Sequence, residues 1–220
     1  ERGRCQPDRR GTGPARGGAG WRARRAVVLG LGGAAAALSF TLGLGWWRSR
    51  HDAQPGAGPL PLPIDEMAFD LTDHRGNQVR PTDWLRRPTI VFFGFTWCPD
   101  VCPTTLIDIS GWLEELGADA ERLNTVMISV DPERDTAVVL AEYLSNFDPR
   151  IIGLTGPLSE IERAAAGFRA RFEKVPQGSD YTMDHTAGVF LFRADGSFGG
   201  IIDYHEDRRF ALPKIRRVLE

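Results

Sequence analysis

Hydrophobic and polar positions follow three different regimes along this chain. Residues 26–47 (AVVLGLGGAAAALSFTLGLGWW) run for 22 positions without a charge. A helix of that length spans roughly 33 Å, enough for a bilayer core. Arg22, Arg24 and Arg25 precede the run, and Trp46 and Trp47 close it where an aromatic belt belongs. The reading is an uncleaved membrane anchor whose basic side stays inside, so the chain beyond Trp47 faces out of the cytoplasm. A cleaved signal peptide fits less well, because the run exceeds the usual h-region and no small-x-small site follows. Residues 48–64 (RSRHDAQPGAGPLPLPI) show no periodicity and read as a semi-rigid Pro/Gly/Ala spacer.

From residue 65 the pattern becomes globular. MAFDL and NQV flank a DHRG turn and predict a short hairpin. PTIVFFGF (88–95) is an unbroken apolar run, as in a strand buried on both faces. Helical spacing of Leu106, Ile109, Trp112, Leu113 and Leu116 predicts a helix over 104–116. A buried strand over 124–130, a helix over 135–147, a short strand over 150–156 and a helix over 158–172 follow. Residues 187–192 and 197–202 form a hairpin about the Asp195-Gly196 turn, and a terminal helix over 208–219 is interrupted at Pro213. Strands alternating with helices predict an α/β fold with a mainly parallel central sheet, helices on both faces and an antiparallel hairpin near the end. The predicted divisions are therefore a head (1–25), an anchor (26–47), a linker (48–64) and a folded domain (65–220).

Composition narrows the function classes. Apolar residues at 42% and charged residues at 25% exclude a disordered or fibrous chain. Eight arginines against Glu1 and Asp8 make the head basic, while residues 65–220 hold 26 acidic and 17 basic side chains. An acidic domain argues against nucleic acid as its partner. Three cysteines exclude a disulfide scaffold. Cys5 lies in the head, and Cys98 and Cys102 stand four apart in WCPDVCP (97–103), between a buried strand and a helix.

That spacing puts two sulfurs on one face of a helical path, close enough for a disulfide or for one metal ion. Unpaired N–H groups at the helix start favour thiolate. Two thiolates alone fit a redox pair, and a third ligand turns the reading towards metal. Of four histidines (51, 74, 185 and 205), His185 stands directly before the strand AGVFLF, at a strand end where functional groups of α/β sheets collect. Asp184 is a candidate acceptor for its second ring nitrogen. Asp100 is read as a surface residue, Met183 as core, and Asp135 in DPERD (131–135) as a helix cap.

Four segments, FFGFTWCPDVCPTTL (92–106), ISVDPERDT (128–136), FDPRIIGLTG (147–156) and YTMDHTAGVFLFRADG (181–196), resemble the SCO/SenC family. The likeness covers nearly all of residues 65–220, in order and spacing. It implies a thioredoxin-like fold behind one transmembrane helix and one bound copper ion, Cu(I) or Cu(II). The family's ligands fall on Cys98, Cys102 and His185. Trp97 departs from the histidine the family often carries there. The implied role is a copper metallochaperone for the CuA site of cytochrome c oxidase, with the oxidase copper-site subunit and other copper chaperones as partners. The alternative is a membrane-anchored thiol–disulfide oxidoreductase with Cys98 and Cys102 as its redox pair, although thioredoxin-type pairs have two intervening residues and this chain has three. A peroxidase is disfavoured by Phe95, where such enzymes carry threonine. Thiols outside the cytoplasm are exposed to disulfide formation. The expected location is a bacterial inner membrane with the domain in the periplasm, or alternatively a mitochondrial inner membrane facing the intermembrane space.

Overall fold

The computed structural model describes residues 60–220. The basic head, Cys5, the apolar run 26–47 and residues 48–59 of the spacer lie outside them. Among the described residues no helix is long and apolar enough to cross a membrane.

Within the described residues, nine strands and four α-helices follow in the order β1 (Leu71–Asp73), β2 (Gln78–Val79), β3 (Thr89–Gly94), α1 (Val101–Leu116), β4 (Asn124–Ser129), α2 (Ala137–Leu144), β5 (Ile151–Thr155), α3 (Leu158–Phe168), β6 (Phe172–Gln177), β7 (Asp180–His185), β8 (Val189–Phe192), β9 (Phe198–Ile202) and α4 (Arg208–Leu219). Seven strands form one sheet in the order β2-β1-β5-β4-β3-β8-β9, and β6 and β7 form a separate two-stranded sheet. The central strands β5, β4 and β3 are parallel, and antiparallel partners flank them on each side. Every residue of β3 and β8 is buried, which is why Thr89–Gly94 reads as an apolar run and not as an alternation. Helix α1 buries Leu106, Ile109, Leu113 and Leu116 along one stripe. Phe168 sits at the centre of the core, edge-on to Phe190 and Phe192 and to Phe93.

Three elements differ from expectation. The helix predicted over 158–172 stops at Phe168, because Arg169 adopts the left-handed conformation (φ 56°) and ends it. Phe172, freed from that helix, opens the β6–β7 hairpin, which the apolar pattern did not predict. Its turn uses Gly178 at φ 62°, where a side chain would be strained. The terminal helix runs unbroken through Pro213, whose missing N–H falls opposite Arg209 on the exposed first turn.

Candidate metal centre

The loop after β3 brings Cys98 to the start of α1. Asp100 occupies the cap position of that helix without offering a side-chain bond. The sulfur of Cys98 does so instead, accepting the N–H of Cys102 at 3.4 Å. A helix start leaves its first N–H groups without partners, and this one presents them to a cysteine. Cys102, in the first turn, is fully buried, whereas Cys98 is partly exposed.

His185 arrives from the other side of the site, at the last position of β7, paired with Phe172 across the hairpin. Alternate residues of β7 share a face, so Tyr181, Met183 and His185 turn towards the body while Asp184 is exposed. The imidazole packs edge-on against Phe92 and Phe95, at centroid distances of 6.3 and 5.8 Å. Its Nδ1 lies 3.1 Å from the carbonyl oxygen of Thr186. That contact makes Nδ1 the protonated nitrogen and leaves the lone pair on Nε2, which stands 3.4 Å from Cys102 Sγ. The ligand atoms of Cys98, Cys102 and His185 all lie within 4.8 Å of one another.

Electrostatics divides the two sulfurs. The Cys98 thiol is lowered to about 4, chiefly by the hydrogen bond from the Cys102 thiol, with help from the N–H groups of Asp100 and Cys102. Cys102 moves far upward, because its proton is committed to the Cys98 sulfur and because burial penalises a second anion. Cys98 is therefore a thiolate at neutral pH and Cys102 a thiol that donates to it.

The three residues singled out in the sequence converge. His74 instead sits at the β1 end, where its Nδ1 accepts the N–H of Gly153 at 3.0 Å, and His205 is exposed at φ 59°. Asp184 does not hold His185; the Thr186 carbonyl does. Asp135 is not a helix cap either, since Thr136 accepts the Val139 N–H in that role. Asp135 is fully buried and takes the N–H and hydroxyl of Thr96 (3.0 and 2.6 Å) and the hydroxyl of Ser129 (2.6 Å). Burial pushes its carboxyl up against the pull of these bonds. It thereby ties the cysteine loop to the end of β4. Backbone acceptors and rings such as Phe92 and Phe95 carry no spacing signal, so sequence reasoning could not assign them to the site.

The SCO1/SenC family model matches residues 63–220. The chain belongs to the SCO1/SenC family. Among curated SCO/SenC relatives, the mitochondrial protein SCO2 of Saccharomyces cerevisiae is 33% identical over 204 residues, covering 91% of this chain and 67% of that protein. The mitochondrial SCO1 homolog of Homo sapiens is 35% identical over 161 residues, 71% of this chain and 50% of that one. Among solved structures, ScoI of Bradyrhizobium japonicum with copper bound is 41% identical, with a TM-score of 0.65 over 73% of this chain and 99% of the other. Yeast Sco1 with copper bound is 34% identical, with a TM-score of 0.64 over 73% and 88%. The thioredoxin-like α/β fold expected from the sequence is the one these SCO/SenC structures share.

Proposed function

We propose that Cys98, Cys102 and His185 bind one copper ion and that the chain is a metallochaperone passing it to the CuA-site subunit of cytochrome c oxidase. The observation that carries this reading is the convergence of two sulfurs and one imidazole nitrogen within 4.8 Å. Copper bound to two SCO/SenC relatives supports the choice of ion. Thiolate sulfur is soft and selects Cu(I), and imidazole serves either oxidation state. Three donors leave one position open, so a ligand of the receiving or donating protein can enter before any donor here lets go. Zinc usually asks for four ligands and suits the set less well. Partly exposed Cys98, beside Trp97 at 63% exposure, gives a second protein access. Residues 26–47 supply the anchor and hold the domain outside the cytoplasm, in a bacterial periplasm or, as the second choice, the mitochondrial intermembrane space.

Anaerobic titration of the reduced protein with Cu(I) tests the reading, with X-ray absorption counting sulfur and nitrogen neighbours. One copper with two sulfurs and one nitrogen is expected. His185→Ala should lose the nitrogen, and Cys98→Ser should lose a sulfur and most of the affinity. Unchanged stoichiometry and neighbours in both variants would refute the assignment.

The unequal sulfurs favour one second reading, a thiol–disulfide reductase for the oxidase's copper-site cysteines. The Cys98 thiolate would attack a partner disulfide and expel one thiolate. Cys102, losing its proton, would then close the Cys98–Cys102 disulfide and release the second partner thiolate, two electrons moving in all. Such an enzyme has no need of His185. Full oxidase assembly in His185→Ala, with each cysteine variant inactive, would select the reductase.

A further inference from the structure

Two halves of the site come from parts of the chain with no shared strand: the cysteine loop rides on β3 and α1, and His185 on the separate β6–β7 sheet. The residues of β6 beyond Phe172 are exposed, so little core packing fixes the slope of this hairpin. The loop 131–135, between β4 and α2, touches both halves. On one side Asp135 holds Thr96, two residues before Cys98. On the other, Arg134 Nε pairs with buried Asp131 at 2.5 Å, and its Nη1 donates to the carbonyl oxygen of Tyr181 at 3.1 Å. The guanidinium carbon lies 3.8 Å from the centroid of the Tyr181 ring and 5.4 Å from that of Trp97. Its Nη2 is buried with no hydrogen-bond partner, so the rings are what remains to hold that edge of the cation. The Tyr181 hydroxyl donates to Asp131 Oδ1 at 2.8 Å, and Lys174, on β6, reaches Glu133 at 2.7 Å while lying 3.8 Å from the same ring.

Tyr181 and His185 lie on one face of β7, four residues apart. Fixing the first sets how far the second leans over the cysteines. We propose that the loop 131–135 is a bracket that sets the gap between His185 and the cysteine pair, and that Arg134 is its positioning residue, clamped between the hairpin and Trp97. Arg134 touches none of the three ligands and acts through Tyr181. The proposal deepens the copper reading and rests on it for its functional consequence, but the bracket itself can be read without metal.

The test uses the full chain with Arg134→Gln, and Tyr181→Phe as a milder variant that removes only the hydroxyl bond to Asp131. In the metal-free reduced protein, amide hydrogen exchange in β6 and β7 should rise at least tenfold in Arg134→Gln, with β3 and α1 unchanged. With copper, affinity should fall by about 10- to 100-fold, the scale seen when outer partners of metal ligands are removed. The nitrogen neighbour should weaken. Tyr181→Phe should shift the same readouts in the same direction by less. Unchanged hairpin exchange overturns the bracket whatever copper does. Faster exchange with unchanged copper affinity and nitrogen coordination overturns the positioning role. Loss of protection throughout α1 and β3, in both variants, assigns the cluster to general stability and overturns it too. Should the unsubstituted protein bind copper without a nitrogen neighbour, the copper reading fails while the exchange result still decides the bracket.

Discussion

Cys102 Sγ and His185 Nε2 face each other at 3.4 Å across 83 positions of chain, and the sulfur carries a proton that its partner sulfur needs. Filling the site with a cation must remove that proton, because only the thiolate ligates. Each copper taken up should therefore release about one proton between pH 5.5 and 8, with affinity rising about tenfold per pH unit. Cys98, already ionised from about pH 4 upward, contributes none of this. Competition titrations against a Cu(I) chelator at several pH values measure the slope, and a flat profile would show that Cys102 is not the proton source.

The same inequality governs thiol chemistry. In the reduced, metal-free protein at pH 6, iodoacetamide should modify Cys98 at least tenfold faster than Cys102, which is buried and protonated. Mass spectrometry of digested samples over a time course reads the two rates. Equal rates would contradict the division of charge between the sulfurs.

Phe168 packs against Phe93, Phe190 and Phe192 at 5.3 to 5.6 Å and has no exposed surface. Phe168→Ala should cost about 3–5 kcal/mol through lost burial and the cavity left behind. With a urea slope of about 1–3 kcal/mol/M, the unfolding midpoint should fall by more than about 1 M. Copper stoichiometry of the folded fraction should not change, since Phe168 touches no ligand.

His74 offers a pH signature away from the site. Burial, aided by the neighbouring Arg75 charge, holds its imidazole below the ordinary value of 6.5, and the neutral ring accepts the Gly153 N–H. Unfolded chains then bind the proton more readily than folded ones. The contribution to stability is complete above about pH 6.5 and is lost as pH falls through that value, until the folded ring itself protonates. Urea midpoints from pH 7.5 to 5 should drop more steeply in the unsubstituted protein than in His74→Gln, and parallel curves would remove His74 from the account.

The sheet and its helices were legible because their apolar periods are strong. Thr89–Gly94 and the stripe from Leu106 to Leu116 need no tertiary information to be read. The metal centre was legible for a different reason: cysteines four apart at a strand-to-helix turn are rare, and each sulfur must be explained. The hairpin that delivers His185 was not legible. FEKVPQ is almost wholly exposed and DYTMDH only half-buried, Pro176 interrupts the first, and their pairing depends on the Gly178 turn and on contacts with Asp131 and Arg134. Asp135 was misread as a cap because its true partners, Thr96 and Ser129, lie 39 and 6 positions away, and only the fold brings them to one carboxylate. Arg169 ends α3 in a left-handed conformation that nothing in its side chain announces.

The sulfur cap on α1 has a consequence for observation. Metal uptake and oxidation both draw electron density at Cys98 away from the Cys102 amide, so the first turn of the helix senses the occupancy of the site directly. The chemical shift of that single proton is a built-in gauge, distinguishing reduced, oxidised and loaded protein in one spectrum without any added label or dye.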